Sequence, residues 1–467
     1  MDQALQTETG LDEAIEALKT RFRGQLLRQG DDGYDAARVL WNGMIDRKPA
    51  VIARCSGAAD VVAAVGFARE QNLSLAVKGG GHSVSGASIC DGGIMIDLTP
   101  MKSIRVDPDA RTARAEAGVN WGEFDAETQA FGLAMTGGQI SHTGIAGLTL
   151  GGGVGWLARK YGMVVDNLLS VDIVTADGRL LHASDTENPD LFWAVRGGGG
   201  NFGIVTSFEY RLHPVGPLVV GGLAGFPIER GREILEFVRD FMSTAPDELA
   251  ITTAFVSAPP APFVPPEMQL KPIIGLAVCY CGSIEDGMRV LASVKALGPA
   301  FDVIGPMPYT AVQSMLDESS PYGTMRYYMK SGFLNEISDG AIDAMLSHAS
   351  NPSSPFSTTV LVSLGGQMSR VDNKATAFGH REVRYDFTMF PGWINPAEDE
   401  THIAWVREYF EAMQPHLHGV YVNALMDEDS RLGEAYPPET YARLVEIKNR
   451  YDPTNLFRLN QNIRPTV

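Results

Sequence analysis

The amino-acid sequence predicts a mixed α+β protein with more than one domain. Its 467 residues exceed what one hydrophobic core usually serves, so we expect two or three domains. Hydrophobic residues make up 45% and charged residues 20%, a balance typical of chains that fold throughout. Runs that alternate between apolar and polar residues lie between segments with helical spacing, which predicts strands and helices together.

The first predicted elements are helices and two strands that enclose a glycine-rich loop. After an N-terminal helix, a second helix is predicted beyond Ser56 by apolar residues at helical spacing, namely Val61, Ala64, Val65 and Ala68. The apolar run LSLAV at 73–77 predicts a buried strand, and GIMIDL at 93–98 predicts another. The segment KGGGHS at 78–83 therefore lies in a loop between two strands.

Two hairpins and a second glycine-dense stretch come next. SIRVDPDARTARAEAG alternates on both sides of a turn at 107–109, and SVDIVTADGRLLHAS does so around 177–178. The glycines between these hairpins permit tight turns and close approach of the backbone to a ligand. They are Gly137, Gly138, Gly144, Gly147, Gly151, Gly152, Gly153 and Gly155.

A third glycine cluster matches the spacing of a dinucleotide-binding motif through Gly198, Gly200 and Gly203. The residues that follow, IVTSFEYRLHPV, alternate like a strand. A Rossmann phosphate site needs a helix at this point, because its N-terminal amides must face the pyrophosphate. The sequence therefore argues against a Rossmann NAD site.

From about residue 216 the glycine density falls, and a second α+β domain is predicted. Its strands include TTVLVSLGGQ and RYDFTMF, and REILEFVRDFM has the spacing of a helix. A last helix ends near Asp452 and Pro453. The tail beyond it carries the amides Asn460, Gln461 and Asn462.

Charge and composition exclude several classes of partner. The formal net charge is −18 and no Lys/Arg cluster offsets it, so we expect no nucleic acid and no membrane surface as partners. The sequence contains no run of signal-peptide or membrane-span character, so a cytoplasmic location is expected. Four scattered cysteines make neither a disulfide framework nor a metal site, so no metal is expected.

The glycine-rich loops predict phosphate binding, because backbone N–H groups can surround a pyrophosphate without basic side chains. His82 in the first loop has two interpretations. It is either an ordinary loop imidazole or a nucleophile that tethers a cofactor. A serine hydrolase is excluded because no serine of the chain lies in a Gly-x-Ser-x-Gly elbow.

Four motifs occur in order: KGGGHSVSG, SHTGIAGLTLGGGVGWLARKYGMVVDNL, NPDLFWAVRGGGGNFGIVTSFEYRL and YDPTNLFRLNQNI. They resemble the berberine-bridge-enzyme-like family of FAD-linked oxidases, from about residue 35 to the C-terminus. Other stretches, RVLWNGMIDRKPA and SHTG, look most similar to members that act in enterocin biosynthesis. The resemblance implies an α+β fold with a PCMH-type FAD-binding domain of two subdomains over 1–215. It also implies a substrate domain with an antiparallel sheet over 216–420 and a segment, 421–467, that returns to the FAD domain.

The resemblance implies that the ring of His82 is bonded to the flavin. Relatives with a second bond have a Cys-Pro-Thr segment where this chain has 139–143 without cysteine, so a single covalent attachment is expected. Thr143 resembles a residue beside the oxygen-reactive side of the flavin, or is a loop hydroxyl bonded to backbone. The other implied FAD contacts are Lys78, Gly79, Gly80, Gly81, Ser83, Ser141, His142, Gly144, Gly147, Gly151, Gly152, Gly153, Gly155, Gly203, Ile204, Val205, Asn460 and Asn462.

Substrate and catalytic residues are implied by two segments, YYMKSG and YVNALMDEDS, and by a recurring His-Arg pair. The implied substrate contacts are Tyr327, Lys330, Arg381 and Asn423, and the catalytic candidates are Tyr421, His380, Tyr328 and Thr143. Ala424 stands where many relatives have an aromatic residue that acts as the base, which leaves the usual base in doubt. Tyr421 ranks above His380 as the base, and Arg381 is equally well explained by a structural ion pair.

The resemblance predicts an oxidase that moves a hydride from a small alcohol, amine or polyketide-like substrate to FAD and reduces O2 to H2O2. One alternative is an oxygenase of the flavin-N5-oxide type that acts on a polyketide-like substrate. Another alternative is a protein that binds FAD without turnover. The expected partners are the small substrate and O2, and the expected oligomeric state is a monomer or homodimer.

Overall fold

The computed structural model of the chain describes residues 2–426 and 431–467. Helices alternate with parallel and antiparallel sheets, so the mixed α+β class predicted from the sequence is confirmed. In the described part of the chain, no helix combines the length and the apolar character needed to cross a membrane.

The helices of the first part of the chain are α1 (Asp2–Lys19), α2 (Tyr34–Arg38), α3 (Ala58–Glu70), α4 (Trp121–Gln129), α5 (Ile145–Leu150), α6 (Ala158–Tyr161) and α7 (Pro189–Val195). Its strands are β1 (Gln25–Leu27), β2 (Val51–Arg54), β3 (Leu75–Lys78), β4 (Ile94–Asp97), β5 (Ile104–Asp107), β6 (Thr112–Glu116), β7 (Leu133–Ala134), β8 (Leu168–Val174), β9 (Leu180–Ser184), β10 (Ile204–Arg211) and β11 (His213–Pro214).

Two larger sheets organise this first part. One has the strand order β1-β2-β4-β3, in which β4 runs parallel to both β2 and β3. The other has the order β5-β6-β10-β8-β9 and is antiparallel. Both predicted hairpins, β5 with β6 and β8 with β9, are present, and β10 follows Gly203 directly as a strand. The absence of a helix after the third glycine cluster therefore rules out a Rossmann phosphate site there.

The helices of the second part are α8 (Gly231–Thr244), α9 (Ile284–Val290), α10 (Ala292–Ala296), α11 (Tyr309–Ser314), α12 (Asp339–Ala349), α13 (Gln367–Arg370) and α14 (Asp399–Met413). Its strands are β12 (Leu218–Pro227), β13 (Leu249–Ser257), β14 (Pro272–Tyr280), β15 (Phe301–Asp302), β16 (Gly305–Pro308), β17 (Arg326–Tyr327), β18 (Lys330–Leu334), β19 (Thr358–Ser363), β20 (Tyr385–Phe390) and β21 (Gly392–Trp393). Short 3-10 turns span Val164–Asp166, Ile228–Arg230, Asp317–Ser319, Pro396–Glu398, Gln414–His416 and Val422–Ala424.

An antiparallel sheet of the order β15-β12-β14-β13-β19-β20-β18 dominates the second part. Side chains alternate between its two faces, as in any strand. One face packs against α8, α12 and α14 in a large apolar core. The opposite face meets the first part of the chain, where the Gln139 amide donates to the Thr252 hydroxyl at 2.8 Å. This second face is called the inner face below.

The C-terminal residues return to the first part of the chain. They form α15 (Leu432–Ala435) and α16 (Pro438–Tyr451). The fully buried Lys448 ammonium donates to the Asp452 carboxylate at 2.6 Å and to the carbonyls of Asn201 and Phe457 at 2.9 and 3.0 Å. This ion pair joins the tail to the loop that precedes β10.

We expect Lys448→Met to lower the free energy of unfolding by about 3–5 kcal/mol, because it leaves the buried Asp452 charge without its partner. Urea denaturation followed by circular dichroism measures the change. Lys374→Met is the matched control, because Lys374 pairs with Glu439 in full solvent and exposed pairs contribute little. Equal urea midpoints for the two variants would contradict the structural role of the Lys448–Asp452 pair.

Candidate active site

Two of the predicted glycine loops cross at van der Waals contact. A Cβ atom placed on Gly80 would lie 2.3 Å from the backbone nitrogen of Gly144, and one placed on Gly144 would lie 2.4 Å from that of Gly80. Real Cβ atoms do not approach backbone so closely, so the crossing requires glycine at both positions. Its consequence is that His82 of the first loop and Thr143 of the second face each other.

The crossing forms one wall of a cleft of about 310 Å³. The apolar side chains Leu75, Val77, Leu98, Leu148 and Leu150 line much of it. The predicted site residues that also line it are Gly79, Gly80, Gly81, His82, Ser83, Thr143, Gly144, Gly147, Gly203, Ile204, Val205, Asn423 and Asn460. The structure thus brings residues from three glycine motifs and the C-terminal tail to one cavity.

Other predicted cofactor contacts lie behind this wall. The Lys78 ammonium is buried and donates to the carbonyls of Ala37 and Val39 at 2.7 and 2.9 Å. The backbone N–H of Ser141 donates to the Asp317 carboxylate at 2.8 Å. Lys78 and Ser141 therefore hold the loops in place and are not among the residues that line the cleft.

The glycines at 151–155 make close approaches to the protein itself. Gly153 has a positive φ of 82°, and its N–H donates to the Tyr421 hydroxyl at 2.8 Å. A Cβ on Gly155 would overlap the Gly137 carbonyl, and one on Gly151 would overlap the Asn423 amide. This loop therefore needs its glycines, Gly152 included, to fit against neighbouring backbone and the side chains that follow residue 420.

The cleft fits the FAD expected from the sequence. In the described part of the chain, the backbone N–H groups of Gly81, His82 and Ser83 have no protein acceptor. The amide oxygens of Asn460 and Asn462 are buried, and no hydrogen bond satisfies them there. A buried polar atom without a partner carries a desolvation cost. Unsatisfied donors and acceptors of this kind are typical of a site that binds a polar ligand.

His82 is enclosed by aromatic rings and by a second histidine. Its Nε2 lies 2.7 Å from Nδ1 of His142, and its Nδ1 lies 3.4 Å from the Thr143 hydroxyl. Its ring stacks on Trp41 with centroids 5.5 Å apart, and Trp41 stacks in turn on Tyr327 at 4.1 Å. Burial, with a smaller contribution from His142, lowers the pKa of His82 to about 3, so the imidazole is neutral at physiological pH.

Asp386 on β20 is a residue that the sequence analysis did not select. It pairs across the sheet with Phe333 and Val362 and faces inward, within an apolar region of the inner face. One of its carboxylate oxygens is buried without a hydrogen-bond partner in the described structure. Burial raises the pKa of Asp386 to about 7. Its only signal in the sequence is a single acid in the otherwise apolar strand RYDFTMF.

Tyr421 is hydrogen-bonded to a residue of the cleft and lies near enough to Asp386 to be affected by its charge. Its hydroxyl accepts hydrogen bonds from the Asn423 side chain and from Gly153 N–H, both at 2.8 Å, and Asn423 lines the cleft. Burial raises the pKa of Tyr421 strongly, and the nearby Asp386 raises it further. Tyr421 is therefore a neutral phenol at physiological pH, held in place by two donors.

Tyr328 and Lys330 are not brought to the cleft. Lys330 pairs with Met389, and its ammonium lies 5.0 Å from the ring centroid of Phe410 on α14. Tyr328 belongs to the core that covers the helix side of the sheet. Lys330 shares the face of its partner Met389, which belongs to the core on the helix side of the sheet, because paired residues of neighbouring strands point to the same face.

The His-Arg pair also lies away from the cleft. His380 Nε2 donates to the Glu434 carbonyl at 2.8 Å. Arg381 is buried and makes two hydrogen bonds of 2.8 Å to the Asp166 carboxylate, with a third of 2.7 Å to Thr376. Of the two explanations for Arg381, the structure supports the structural ion pair.

No group of three or more metal-ligating side chains occurs among the described residues. All four cysteines are buried and free. Burial, with nearby negative charge from Asp60 and Asp97, raises the pKa of Cys55 well above its usual value, and burial also raises that of Cys90, to about 11. Thiolate chemistry is therefore not supported at these two cysteines.

Comparison with known proteins yields two domain matches within this chain. Residues 49–184 match the family model described as "FAD binding domain", which covers both crossing loops. Residues 420–464 match "Berberine and berberine like", which covers Tyr421, Asn423 and the tail amides.

Similar proteins cover nearly the whole chain. An FAD-linked oxidoreductase of Dictyostelium discoideum is 31% identical over 95% of each chain. The (R)-6-hydroxynicotine oxidase of Paenarthrobacter nicotinovorans is 31% identical over 95% of this chain and 97% of its own. The crystal structure of 6-hydroxy-D-nicotine oxidase from Arthrobacter nicotinovorans is 30% identical, covers 95% of this chain and 98% of its own, and has a TM-score of 0.85. The fold is that of the PCMH-type FAD-binding oxidases.

We expect Gly80→Ala to reduce flavin content and to lower the midpoint of thermal unfolding, because the added Cβ forces the two loops apart. A cost of about 1–3 kcal/mol is typical for such overpacking. The ratio of flavin to protein absorbance and a thermal scan measure both effects. Gly66→Ala in α3 is the matched control. Its Cβ meets only a carboxylate at 4.0 Å, and helix propensity should add about 1 kcal/mol of stability. Full flavin content in Gly80→Ala would show that the crossing tolerates a side chain.

Proposed function

Because this chain belongs to the berberine-bridge-enzyme-like family of FAD-linked oxidoreductases, we propose that it is an oxidase of a small, largely apolar amine or alcohol, with FAD bonded to His82. The observation that carries the proposal is that Asn423, which lines the cleft, donates a hydrogen bond to Tyr421, whose pKa is affected by the charge of the nearby Asp386. A cofactor cavity thereby adjoins a group able to accept a proton near neutral pH.

The residues that would hold FAD are those with unsatisfied polar groups at the cleft. The free N–H groups at 81–83 would receive phosphate or flavin oxygens, and the tail amides would bond polar atoms of the ring. His82 supports a covalent link because its neutral imidazole carries a lone pair and lines the cavity. When bound, FAD supplies the two-electron acceptor for a substrate carbon–hydrogen bond, and O2 takes the electrons onward as H2O2.

Asp386 is our candidate for the general base. With a pKa of about 7 it is half ionised at neutral pH, which is the range in which a base works best. The neutral Tyr421 hydroxyl accepts two hydrogen bonds, so its own proton is available to orient a substrate heteroatom. In this proposal Asp386 takes the proton of the substrate N–H or O–H group, and Tyr421 positions that group.

The walls of the inner face support a largely apolar substrate. Phe333, Phe378 and Met163 surround the Asp386 and Tyr421 region. Arg381, the cation nearest in sequence to Asp386 among the predicted residues, is committed to Asp166. A substrate that carries carboxylate or phosphate would find no partner in Arg381. The (R)-6-hydroxynicotine oxidase relative supports an amine as the first compound class to screen.

We expect acid-denatured wild-type protein to keep its yellow colour on the polypeptide, whereas His82→Ala protein releases it. Trichloroacetic acid precipitation followed by absorbance of pellet and supernatant measures the split. His380→Ala is the matched control and should retain the colour, because that imidazole bonds the Glu434 carbonyl away from the cleft. Release of the colour from wild type would refute the tether while leaving FAD binding itself intact.

Asp386→Asn should slow substrate-driven flavin reduction by about 100-fold or more, the usual contribution of a general base. In wild type the reduction rate should rise with pH through about 7, because only the ionised carboxylate accepts a proton. Anaerobic stopped-flow bleaching with the best amine or alcohol from a peroxide-coupled screen provides the rate. Ser363→Ala, on the helix-covered face, should match wild type.

Stability separates loss of the base from loss of the fold. A carboxyl group whose pKa is raised in the folded state lowers the stability of the protein as pH rises from about 4 to about 7, and this loss is fully present at pH 8. Asp386→Asn should therefore unfold at the same or a higher temperature at pH 8. A wild-type rate independent of pH between 6 and 8, or an Asn variant as fast as wild type, would rule out Asp386 as the base. Bleaching with incorporation of oxygen into the product, in place of H2O2, would replace oxidase by oxygenase.

A further inference from the structure

His82, which lines the cleft, is in direct contact with a second histidine, His142. The two ring nitrogens are 2.7 Å apart, which is hydrogen-bonding distance. The pair packs against two aromatic rings, with Trp41 stacked on His82 and Tyr322 in contact with both histidines. A hydrogen bond of this kind needs one N–H group and one lone pair, so the two rings share a defined proton.

The surroundings of His142 favour His82 as the donor in this hydrogen bond. The pKa of His142 is lowered overall by burial, and the Asp317 carboxylate and the Ser320 backbone oppose this shift. A backbone hydrogen bond that raises the pKa of histidine is one that the ring N–H donates to a carbonyl. Because Nδ1 of His142 lies against His82, Nε2 is the nitrogen left to carry the proton towards the Ser320 backbone, and Nδ1 then offers its lone pair to His82.

This direction of the hydrogen bond implies the tautomer of His82. Its Nε2 carries the proton that bonds His142, so its Nδ1 carries a lone pair. That nitrogen is 3.4 Å from the hydroxyl of Thr143, which also lines the cavity. The nucleophilic nitrogen is therefore on the cleft side, and the protonated nitrogen is on the protein side.

We propose that His142 is the base that activates His82 for its covalent attachment to FAD through Nδ1. This inference rests on the tether proposed above and adds to it a residue and a ring nitrogen. The structure contains a base within reach of the reacting imidazole, and nothing in the substrate reaction requires that base.

The attachment replaces a C–H bond of the flavin and an N–H bond of His82 by one carbon–nitrogen bond. The flavin methyl group loses one proton, and the Nδ1 lone pair of His82 forms the new carbon–nitrogen bond. The Nε2 proton of His82 passes to Nδ1 of His142, so that no cationic imidazole remains on the flavin. The two electrons left on the flavin ring go to O2, which takes up two protons and leaves as H2O2. His142 returns its proton to solvent.

Asp317 supports this role electrostatically. Its carboxylate accepts hydrogen bonds from both the N–H and the hydroxyl of Ser141, which fixes it beside His142. A fixed negative charge favours the imidazolium form of His142. Asp317 is thus a positioning residue, since it acts through His142 and does not touch the flavin-bonding nitrogen.

The experiment measures attachment and not turnover. Wild type, His142→Gln, His142→Gly and Asp317→Asn are produced under riboflavin limitation, loaded with FAD, and quenched in acid at intervals. Fluorescence of the denatured polypeptide reports the covalent fraction. His142→Gln should bind FAD yet attach it at least about 100-fold more slowly than wild type. Asp317→Asn keeps a hydrogen-bond acceptor for Ser141, and its rate of attachment should lie between those of wild type and His142→Gln.

Added imidazole tests proton transfer against a purely structural role. It should restore attachment in His142→Gly, because a free base can enter the space that the missing ring leaves. His213→Gln is the control, since His213 stacks on Tyr161 and bonds Asn167 elsewhere in the first part of the chain. NMR of the flavinyl peptide should show the bond at Nδ1.

The outcomes separate this inference from the proposed function. Attachment at the wild-type rate in His142→Gln, a bond at Nε2, or an FAD-loaded His142→Gly protein that imidazole does not rescue would each overturn the role of His142. If a His142 variant fails to fold, Asp317→Asn remains as a test. Attachment at the wild-type rate in Asp317→Asn would overturn the proposal that the Asp317 charge supports His142 as a base. Wild type without any covalent flavin would instead contradict the tether.

Discussion

The crossing of two glycine loops at Gly80 and Gly144 is the constraint on which the rest of the site depends. The first loop follows β3 and the second precedes α5. Their backbones can touch only because neither Gly80 nor Gly144 has a side chain. The contact fixes His82 relative to Thr143 and His142, and it leaves backbone N–H groups facing the cleft. A pyrophosphate can then be bound by peptide dipoles, which explains how a chain of net charge −18 accommodates an anionic cofactor without a cluster of basic side chains.

A second constraint is the register of the large antiparallel sheet. Pairing of Asp386 with Phe333 places the carboxyl group on the inner face, and the same register sends Lys330 to the helix side with Met389. A shift of one residue would reverse both. The apolar cores on the two faces are what hold the register, so the position of the candidate base is set by packing at a distance from it.

Local patterns in the sequence predicted most of the fold and much of the cofactor cleft. The hairpins, the strand after Gly203 and the loop of His82 follow from glycine positions and alternation, which act over a few residues. The residues on the substrate side of the site were harder to predict. YYMKSG was interpreted without a register, so Tyr328 and Lys330 were assigned to a face that they do not occupy. Asp386 and Trp41 gave no comparable signal, because burial and ring stacking depend on partners far along the chain.

Burial also explains the division of chemical roles within the site. Removal from water disfavours the charged form of every titratable group, yet it moves an imidazole and a carboxyl group in opposite directions. The pKa of His82 is lowered to about 3, so its imidazole is neutral. The pKa of the Tyr421 phenol is raised, so it is neutral as well. The pKa of Asp386 is raised only to about 7. Burial thus leaves His82 and Tyr421 neutral and brings the pKa of Asp386 to neutral pH, which are the protonation states that the proposed nucleophile, hydrogen-bond donor and base require. The pH response of the site therefore resides in Asp386 alone among these three residues.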